Sequence, residues 1–243
     1  MELNGRAALV TGSGHRVGRA LAVGLARAGM RVAVHFHEAE IEAKETVRLI
    51  REAGFSAETF AADLRVPGEP EQLVQTAAKS LDGLDVLVNS AAIMRRTPVG
   101  EVTVAAWDEM FALNLRAVFF ASQAAARVME ERGGAIINIA DLAAFETWPG
   151  YIPHGVTKAG VVQLTRALAR VLAPKIRVNA VAPGTVLLPD DWDAEQEHRL
   201  ASTTPLGHTG SPDDVVEAVL YLLRADYVTG ETLIVDGGRH VRR

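Results

Sequence analysis

The 243-residue sequence contains no cysteine, which excludes disulfide bonds and thiol chemistry. It contains no apolar run that approaches the roughly 20 residues needed to span a bilayer, so we expect no membrane partner. It also lacks a block of basic residues, and its formal net charge of −5 argues against a nucleic-acid partner. The first residues enter a strand pattern without a charged and apolar leader, so we expect no signal peptide and a cytoplasmic location.

What the sequence does contain is an alternation of short apolar runs with longer segments of helical periodicity. The apolar runs predict strands at Ala7–Thr11, Arg31–Phe36, Ser56–Ala61, Asp85–Asn89, Ala135–Ala140, Arg177–Ala182 and Thr232–Val235. The longer segments predict helices at Val17–Ala28, Glu40–Ala53, Pro70–Leu81, Val104–Arg132, Gly155–Leu172 and Asp213–Leu223. Strands that are apolar throughout favour a parallel sheet covered on both faces. The sequence therefore predicts a Rossmann-type, doubly wound α/β fold with three layers, α/β/α.

No Pro/Gly/Ser-rich linker and no repeat divides the chain, so we expect a single domain over residues 1–243. The least regular segment is Pro183–Ser211, which is rich in Pro, Asp and Thr. Because long irregular segments in compact folds often cover binding sites, we interpret residues 184–211 as a substrate lid. A surface excursion without a binding role is the alternative. Nothing marks His198 and His208 in this segment as metal ligands, and we expect no metal.

A glycine-rich turn connects the first predicted strand to the first predicted helix, and it reads Thr11-Gly12-Ser13-Gly14-His15-Arg16-Val17-Gly18. Glycine is needed where the backbone turns tightly and approaches a pyrophosphate, and the helix N-terminus adds N–H groups and the positive end of a dipole. A tight turn without a ligand is the alternative. Because the turn follows the first strand of a βαβ unit, it predicts dinucleotide binding by Gly12, Gly14, His15, Arg16, Val17 and Gly18.

The choice of dinucleotide depends on the end of the second predicted strand, His35-Phe36-His37-Glu38. An acid there binds the ribose 2′-OH of NAD, whereas a base accommodates the 2′-phosphate of NADP. Phe36 occupies the expected acid position, and His37 joins His15 and Arg16 as cations that would gather a phosphate. Glu38 would repel the phosphate if it pointed inward. We therefore favour NADP(H) and keep NAD(H), or a solvated loop without such a role, as alternatives.

Further motifs are distributed along the chain. They are Asp63-Leu64, Asn89-Ser90-Ala91-Ala92, Pro183-Gly184-Thr185, Tyr227-Val228-Thr229-Gly230 and Val235-Asp236-Gly237-Gly238. Together with the glycine-rich turn, they resemble the short-chain dehydrogenase/reductase family almost end to end, although the second motif differs from the family's Asn-Asn-Ala-Gly in two letters. The resemblance implies cofactor contacts at Asp63, Leu64, Asn89, Ser90, Ala91, Ile139, Pro183, Gly184 and Val186.

Within that family the sequence looks most like the pteridine reductases. Arg16 replaces the middle glycine of the usual turn, as it does there, and His35–His37 is similar to their His-Tyr-His. Asp141 stands where most of the family has a catalytic Ser but that branch has Asp. Two features depart from the branch: Met94 stands where it stacks its substrate on an aromatic ring, and Glu38-Ala39 replaces its Arg-Ser.

The catalytic pattern of the family is Tyr-x-x-x-Lys on a helix, where positions i and i+4 share a face. Here the sequence is His154-Gly155-Val156-Thr157-Lys158, so the lysine is kept and the tyrosine is not. Tyr151 lies three residues earlier and should not fill the same place. The resemblance implies that Lys158 holds the nicotinamide ribose, and that Asn114 corresponds to the family's Asn on the catalytic helix.

Imidazole exchanges protons near neutral pH, and a neighbouring carboxylate can orient a histidine. We therefore predict a reductase of a C=N or C=O group in a small, pterin-like substrate, with Asn114, Asp141, His154 and Lys158 as the catalytic set. The alternatives are a cofactor-binding sensor or regulatory subunit with weak or no catalysis, and an enzyme that performs other chemistry in the same pocket.

Substrate contacts are predicted at Met94, Arg95, Trp148 and Tyr151. Arg95 and Arg96 would clamp an anionic group, with a solvated loop as the alternative, and the two aromatic residues would line the cleft or simply pack under a loop. The resemblance implies a homodimer or homotetramer. Its candidate contacts are the predicted helices Val104–Arg132 and Gly155–Leu172, although helices buried within one subunit would have the same pattern.

Overall fold

A parallel sheet forms the centre of the molecule, whose computed structural model describes residues 1–188 and 193–241. In this part of the chain the strands are β1 (Ala7–Val10), β2 (Arg31–Phe36), β3 (Ala57–Ala61), β4 (Val86–Asn89), β5 (Gly134–Ile139), β6 (Ile176–Pro183) and β7 (Thr232–Val235). The helices are α1 (Arg16–Arg27), α2 (Glu40–Glu52), α3 (Glu69–Ser80), α4 (Val104–Phe111), α5 (Ala117–Val128), α6 (Ile152–Leu172), α7 (Ala194–Ser202) and α8 (Pro212–Arg224). The strand order is β3-β2-β1-β4-β5-β6-β7, and every neighbouring pair is parallel.

The apolar strands are buried because both faces of the sheet are covered. Alternate side chains of β1 enter opposite cores, as the two-residue period of a strand requires. Ala8 and Val10 pack with Leu21 of α1 and with Val219 of α8. Ala7 and Leu9 pack in the other core, to which α3, α5 and the C-terminal part of α6 contribute. The predicted doubly wound α/β fold is confirmed.

The prediction of one continuous helix over Val104–Arg132 is wrong, because the helix is interrupted and ends earlier. Helix α4 passes into α5 through one π turn at Ala112–Arg116, and α5 ends at Val128. A π turn takes one extra residue without breaking the apolar pattern, so the helical periodicity does not reveal it. The chain leaves the helix before Gly133, whose φ of +72° is incompatible with a right-handed helix.

Helix α6 begins one turn before the predicted start at Gly155. Its first residue is Ile152, and Pro153 occupies the first turn, where the missing N–H of proline costs no hydrogen bond. His154 and Lys158 therefore lie one turn apart on the same helix.

The segment interpreted as a lid contains a helix that the sequence pattern did not predict. Helix α7 begins after Asp193, whose side chain accepts a hydrogen bond from the Gln196 N–H while the Gln196 side chain accepts one from the Asp193 N–H. This reciprocal capping box satisfies two N–H groups that a helix start leaves free. Residues 189–192 of the expected lid lie outside the described residues, and a lid function stays a prediction.

The order of the strands reverses direction between β1 and β4, which pair with each other at the centre of the sheet. In open α/β sheets the crevice at the carboxyl ends of the strands, at this switch point, is the usual ligand site. Over residues 1–188 and 193–241, no helix has the length and apolar character needed to cross a membrane.

Candidate active site

A cleft of about 610 Å³ lies at the carboxyl ends of the central strands. It gathers most of the residues that the sequence marked for cofactor, substrate or catalysis. These are Gly12, Gly14, His15, Arg16, Val17, Gly18, Phe36, His37, Asp63, Leu64, Ser90, Ala91, Met94, Arg95, Ile139, Asp141, His154, Lys158, Pro183, Gly184 and Val186.

The glycine-rich turn is packed so closely that two of its positions have no room for a side chain. A Cβ on Gly12 would lie 2.8 Å from the Cα of Ala91, and one on Gly18 would lie 2.1 Å from the Gly12 carbonyl oxygen. Arg16 has a φ of +52°, a conformation that costs a residue with a side chain roughly 1 kcal/mol or more. Arg16 therefore adopts a conformation that glycine would adopt at less cost.

His35 fixes this turn to the sheet, a role that the sequence did not suggest. Its Nδ1 accepts a hydrogen bond from the Gly12 N–H at 2.9 Å, and its Nε2 lies 3.1 Å from the carbonyl oxygen of Ala62. Because an N–H only donates and a carbonyl oxygen only accepts, the ring proton lies on Nε2. Burial lowers the pKa of His35 to about 4, so the ring is neutral at pH 7.

Beyond the turn, the residues expected to select the dinucleotide are partly or largely exposed. Glu38 is 85% exposed along its side chain, and its carboxylate lies 3.5 Å from Nδ1 of His37. The other ring nitrogen of His37 lies 3.7 Å from Asp63. Arg65 hydrogen-bonds Asp63 at 2.8 Å and thereby holds the pKa of that carboxyl below its usual range.

Asn89 supports the cleft from behind and does not line it. Its amide donates to Ser122 Oγ at 3.1 Å and to Asn138 Oδ1 at 2.9 Å, in the buried layer below the strand ends. Thr11 holds the loop that follows β4, because its hydroxyl oxygen accepts hydrogen bonds from the N–H groups of Ser90 and Ala91.

Asp141 and His154 meet at the end of β5. Asp141 Oδ1 accepts the N–H of Ala143 at 2.7 Å, which leaves Oδ2 at 3.5 Å from Nε2 of His154. This separation is long for a hydrogen bond, and the buried Nε2 has no hydrogen-bond partner among the described residues. The His154 side chain is only 2% exposed.

Lys158 lies one turn further along α6, with its side chain buried in the cleft wall. Its ammonium group donates to the carbonyl oxygen of Ile139 at 2.7 Å. Burial lowers the pKa of Lys158 to about 8, and the nearby charge of Asp141 opposes that change. The ammonium group is therefore close to its titration range at neutral to mildly alkaline pH.

Asn114 lies behind the cleft, in the π turn between α4 and α5. Its side-chain amide exchanges two hydrogen bonds with the backbone of Ile93, accepting the N–H at 2.9 Å and donating to the carbonyl oxygen at 2.8 Å. The same carbonyl oxygen lies 3.3 Å from Nδ1 of His154. Asn114 is thus connected to His154 through the Ile93 carbonyl group, which both side chains contact.

The four predicted substrate residues separate into two pairs. Met94 and Arg95 line the cleft, whereas Trp148 and Tyr151 pack edge to face with ring centroids 6.2 Å apart and do not line it. Both terminal nitrogens of Arg95 bind the carboxylate of Glu109, so its charge is already paired in this structure. Among residues 1–188 and 193–241, no group of three or more His, Asp or Glu side chains is arranged to hold a metal ion.

Comparison with known proteins places the chain in a family. A family model described as enoyl-(acyl carrier protein) reductase matches residues 12–240. The chain belongs to the short-chain dehydrogenase/reductase family. It is 36% identical to 3beta-hydroxysteroid dehydrogenase 1 of Eggerthella lenta, with 98% of this chain and 94% of that protein covered.

Solved structures of short-chain dehydrogenase/reductases superpose on it closely. Gluconate 5-dehydrogenase from Burkholderia cenocepacia, solved with NADP and tartrate, gives a TM-score of 0.91 at 33% identity, covering 99% of this chain and 97% of that one. The angucycline C-6 ketoreductase LanV, solved with NADP, gives 0.90 at 32% identity, covering 99% and 98%.

As a short-chain dehydrogenase/reductase, the protein is an NAD(P)H-dependent oxidoreductase. The closer resemblance to the pteridine reductases, expected from Arg16, His35–His37 and Asp141, stays a prediction. So does the role of His154, which lies in the cleft where the family's Tyr-x-x-x-Lys pattern would have tyrosine.

Proposed function

We propose that this protein is an NADP(H)-dependent reductase of a small carbonyl compound, with His154 as the proton donor and Asp141 as its partner. The observation that carries the proposal is the buried imidazole in the cleft wall, whose Nε2 faces the Asp141 carboxylate at 3.5 Å. An imidazolium and a carboxylate in this arrangement form an oriented acid.

The cleft fits a dinucleotide. The space that a Cβ would fill is occupied by Ala91 at Gly12 and by the turn's own backbone at Gly18. This close turn leads directly into the N-terminus of α1, whose backbone N–H groups are the preferred place for a pyrophosphate. Lys158, Pro183 and Gly184 line the opposite part of the cleft and would hold the nicotinamide half.

NADP(H) is favoured over NAD(H) because no acid stands at the end of β2. Phe36 occupies that position, and Arg16 and His37 line the cleft beside it. Glu38 also lines the cleft, but its side chain is 85% exposed and its carboxylate lies 3.5 Å from Nδ1 of His37. The two solved relatives above hold NADP. NAD(H) is the alternative that binding measurements would test.

When bound, the dinucleotide supplies the hydride that reduces the carbonyl carbon. The chain supplies the proton: Nε2–H of the His154 imidazolium gives it to the substrate oxygen, and the ring becomes a neutral imidazole. Asp141 stabilises the imidazolium before transfer, and two unit charges about 4 Å apart attract each other by on the order of 4 kcal/mol at an effective dielectric constant near 20. The ammonium group of Lys158 adds a positive charge that would orient the ribose.

The reducible group is a C=O rather than a C=N bond in this proposal, because the named relatives are a hydroxysteroid dehydrogenase, a ketoreductase and a gluconate dehydrogenase. A pterin-like substrate is the narrower form of the proposal. It depends on the resemblance at Arg16 and Asp141, while Met94 supplies no aromatic ring for stacking.

Turnover and cofactor binding together test this function. Oxidation of NADPH and NADH is followed across a panel of ketones, imines and pterins between pH 5.5 and 8, and cofactor affinity is measured separately. We expect NADPH oxidation with at least one ketone. Micromolar cofactor binding with no turnover across the panel would contradict the proposal and favour a non-catalytic sensor.

We also propose that the protein forms a homodimer or homotetramer. Large apolar side chains are exposed on α4, α5 and α6, including Trp107, Phe119, Val156 and Val171. Exposed apolar surface on neighbouring helices is typical of a contact between subunits. Analytical ultracentrifugation should give a dimer or tetramer, and a monomer at micromolar concentration would contradict this.

A further inference from the structure

Three polar atoms from two side chains converge on the backbone of Ile93. The Asn114 amide binds both its N–H and its carbonyl oxygen, at 2.9 and 2.8 Å, and Nδ1 of His154 lies 3.3 Å from the same oxygen. Asn114 and His154 are 1% and 2% exposed, so water does not compete for these contacts.

The orientation of the Asn114 amide follows from its partners. A backbone N–H only donates and a carbonyl oxygen only accepts, so Oδ1 must face the Ile93 N–H and Nδ2 its oxygen. The π turn at Ala112–Arg116 contains this residue, and such turns occur frequently at functional sites. Nδ2 also lies 3.3 Å from the Thr157 hydroxyl, which itself donates to the carbonyl oxygen of His154.

The proton on His154 follows from which of its two contacts has hydrogen-bond geometry. Both ring nitrogens lie near oxygens that only accept, but Nδ1 is within hydrogen-bond distance of the Ile93 oxygen at 3.3 Å, whereas the buried Nε2 lies 3.5 Å from Asp141 Oδ2 without a hydrogen bond. A neutral ring therefore carries its hydrogen on Nδ1 and has a bare Nε2 beside Asp141. The other charged group beside the ring, the Lys158 ammonium, is bound to the Ile139 carbonyl oxygen.

We infer that Asn114 is a positioning residue that fixes the tautomer of His154. By holding the Ile93 carbonyl group in place, it keeps the proton on Nδ1 and makes Nε2 the nitrogen that takes up and releases the working proton. The catalytic half of this inference rests on the proposed function, whereas the tautomer itself does not.

His35 supplies an internal reference, because its surroundings dictate the opposite tautomer. Its Nδ1 accepts the Gly12 N–H, and its Nε2 donates to Ala62. Two buried histidines of one protein should therefore carry their ring protons on different nitrogens, His154 on Nδ1 and His35 on Nε2.

Long-range ¹H–¹⁵N correlation spectra of the full chain labelled at the imidazole nitrogens measure this directly. Signals are assigned by their loss in His154→Phe and His35→Asn, and spectra are recorded at a pH where both rings are neutral. We expect an Nδ1–H pattern for His154 and an Nε2–H pattern for His35. An Nε2–H pattern for His154 in the wild-type protein would overturn the inference, whether or not any variant folds.

Asn114→Leu then tests the positioning role, with Thr157→Val as the matched control. The leucine variant loses both contacts to Ile93, so the His154 pattern should change to a mixture of tautomers while His35 stays unaltered; kcat should fall about 10- to 100-fold with little change in KM. The valine variant keeps both contacts and should keep the Nδ1–H pattern. An unchanged His154 pattern in Asn114→Leu would overturn the positioning role. The expected tautomer together with full activity of His154→Phe would refute the proposed function alone.

Discussion

The most quantitative prediction concerns His35, which fastens the dinucleotide turn to the sheet. Its pKa falls from 6.5 to about 4 on folding because the ring is buried. At about 1.36 kcal/mol per pH unit, this difference corresponds to roughly 3 kcal/mol of stability. Because the folded state binds the proton less tightly than the unfolded chain, this stability is present in full above pH 6.5 and is lost as the pH falls towards 4.

His35→Asn isolates the effect. Asparagine does not titrate, and its side-chain oxygen can still accept the Gly12 N–H. Urea unfolding of both proteins is measured between pH 4 and 7.5, and the free energy of unfolding of the variant is subtracted from that of the wild type. Contributions from carboxylates are common to both proteins and cancel. The difference should be constant above pH 6.5 and should decrease by about 3 kcal/mol between pH 6.5 and 4.

The same protonation should weaken cofactor binding, because an imidazolium has no Nδ1 acceptor for the Gly12 N–H. NADPH affinity of the wild-type protein should therefore fall over the acidic half of this range more steeply than that of His35→Asn. A free-energy difference between the two proteins that does not vary with pH would refute the reasoning from burial.

Three further predictions concern the cleft. Phe36→Asp places an acid at the end of β2, so the ratio of NADH to NADPH affinity should rise at least about tenfold in titrations of the two cofactors. The pKa of Lys158 is about 8 in the cofactor-free protein, so kcat/KM for NADPH should fall above pH 8 as the ammonium deprotonates, and a flat profile to pH 9.5 would contradict this. Gly18→Ala forces a Cβ against the Gly12 carbonyl oxygen, so NADPH binding measured by calorimetry should be lost or reduced more than tenfold, unlike binding by Gly100→Ala, where an added Cβ meets no atom and the backbone is not left-handed.

Much of the fold could be predicted because apolar runs report buried parallel strands directly. Since the carboxyl ends of such strands meet at one edge, motifs far apart in the sequence, such as Gly12, Asp63 and Lys158, could be expected to converge. The cleft confirms that convergence. Helix α7 could also have been found, because Asp193 and Gln196 have the spacing of a capping box.

Other features depend on contacts that no local pattern records. The π turn around Asn114 preserves the apolar periodicity of a continuous helix, so only the backbone reveals it. The hydrogen-bond partners of the His35 ring lie in two other segments of the chain. Arg95, expected to bind a substrate, instead binds the carboxylate of Glu109, fourteen residues away. The group that fixes His154 is a backbone carbonyl, which every residue has and no sequence motif marks.

The role of His154 is the central claim, and single-turnover reduction tests it most directly. Enzyme loaded with NADPH is mixed with an accepted ketone at pH 6.5, and hydride transfer is followed for wild type, His154→Phe and His240→Phe, in which an exposed histidine outside the cleft and the expected lid is replaced. A general acid contributes about 10²- to 10⁴-fold, so His154→Phe should be at least about 100-fold slower while His240→Phe keeps the wild-type rate. An unchanged rate for His154→Phe, with NADPH still bound, would contradict the account.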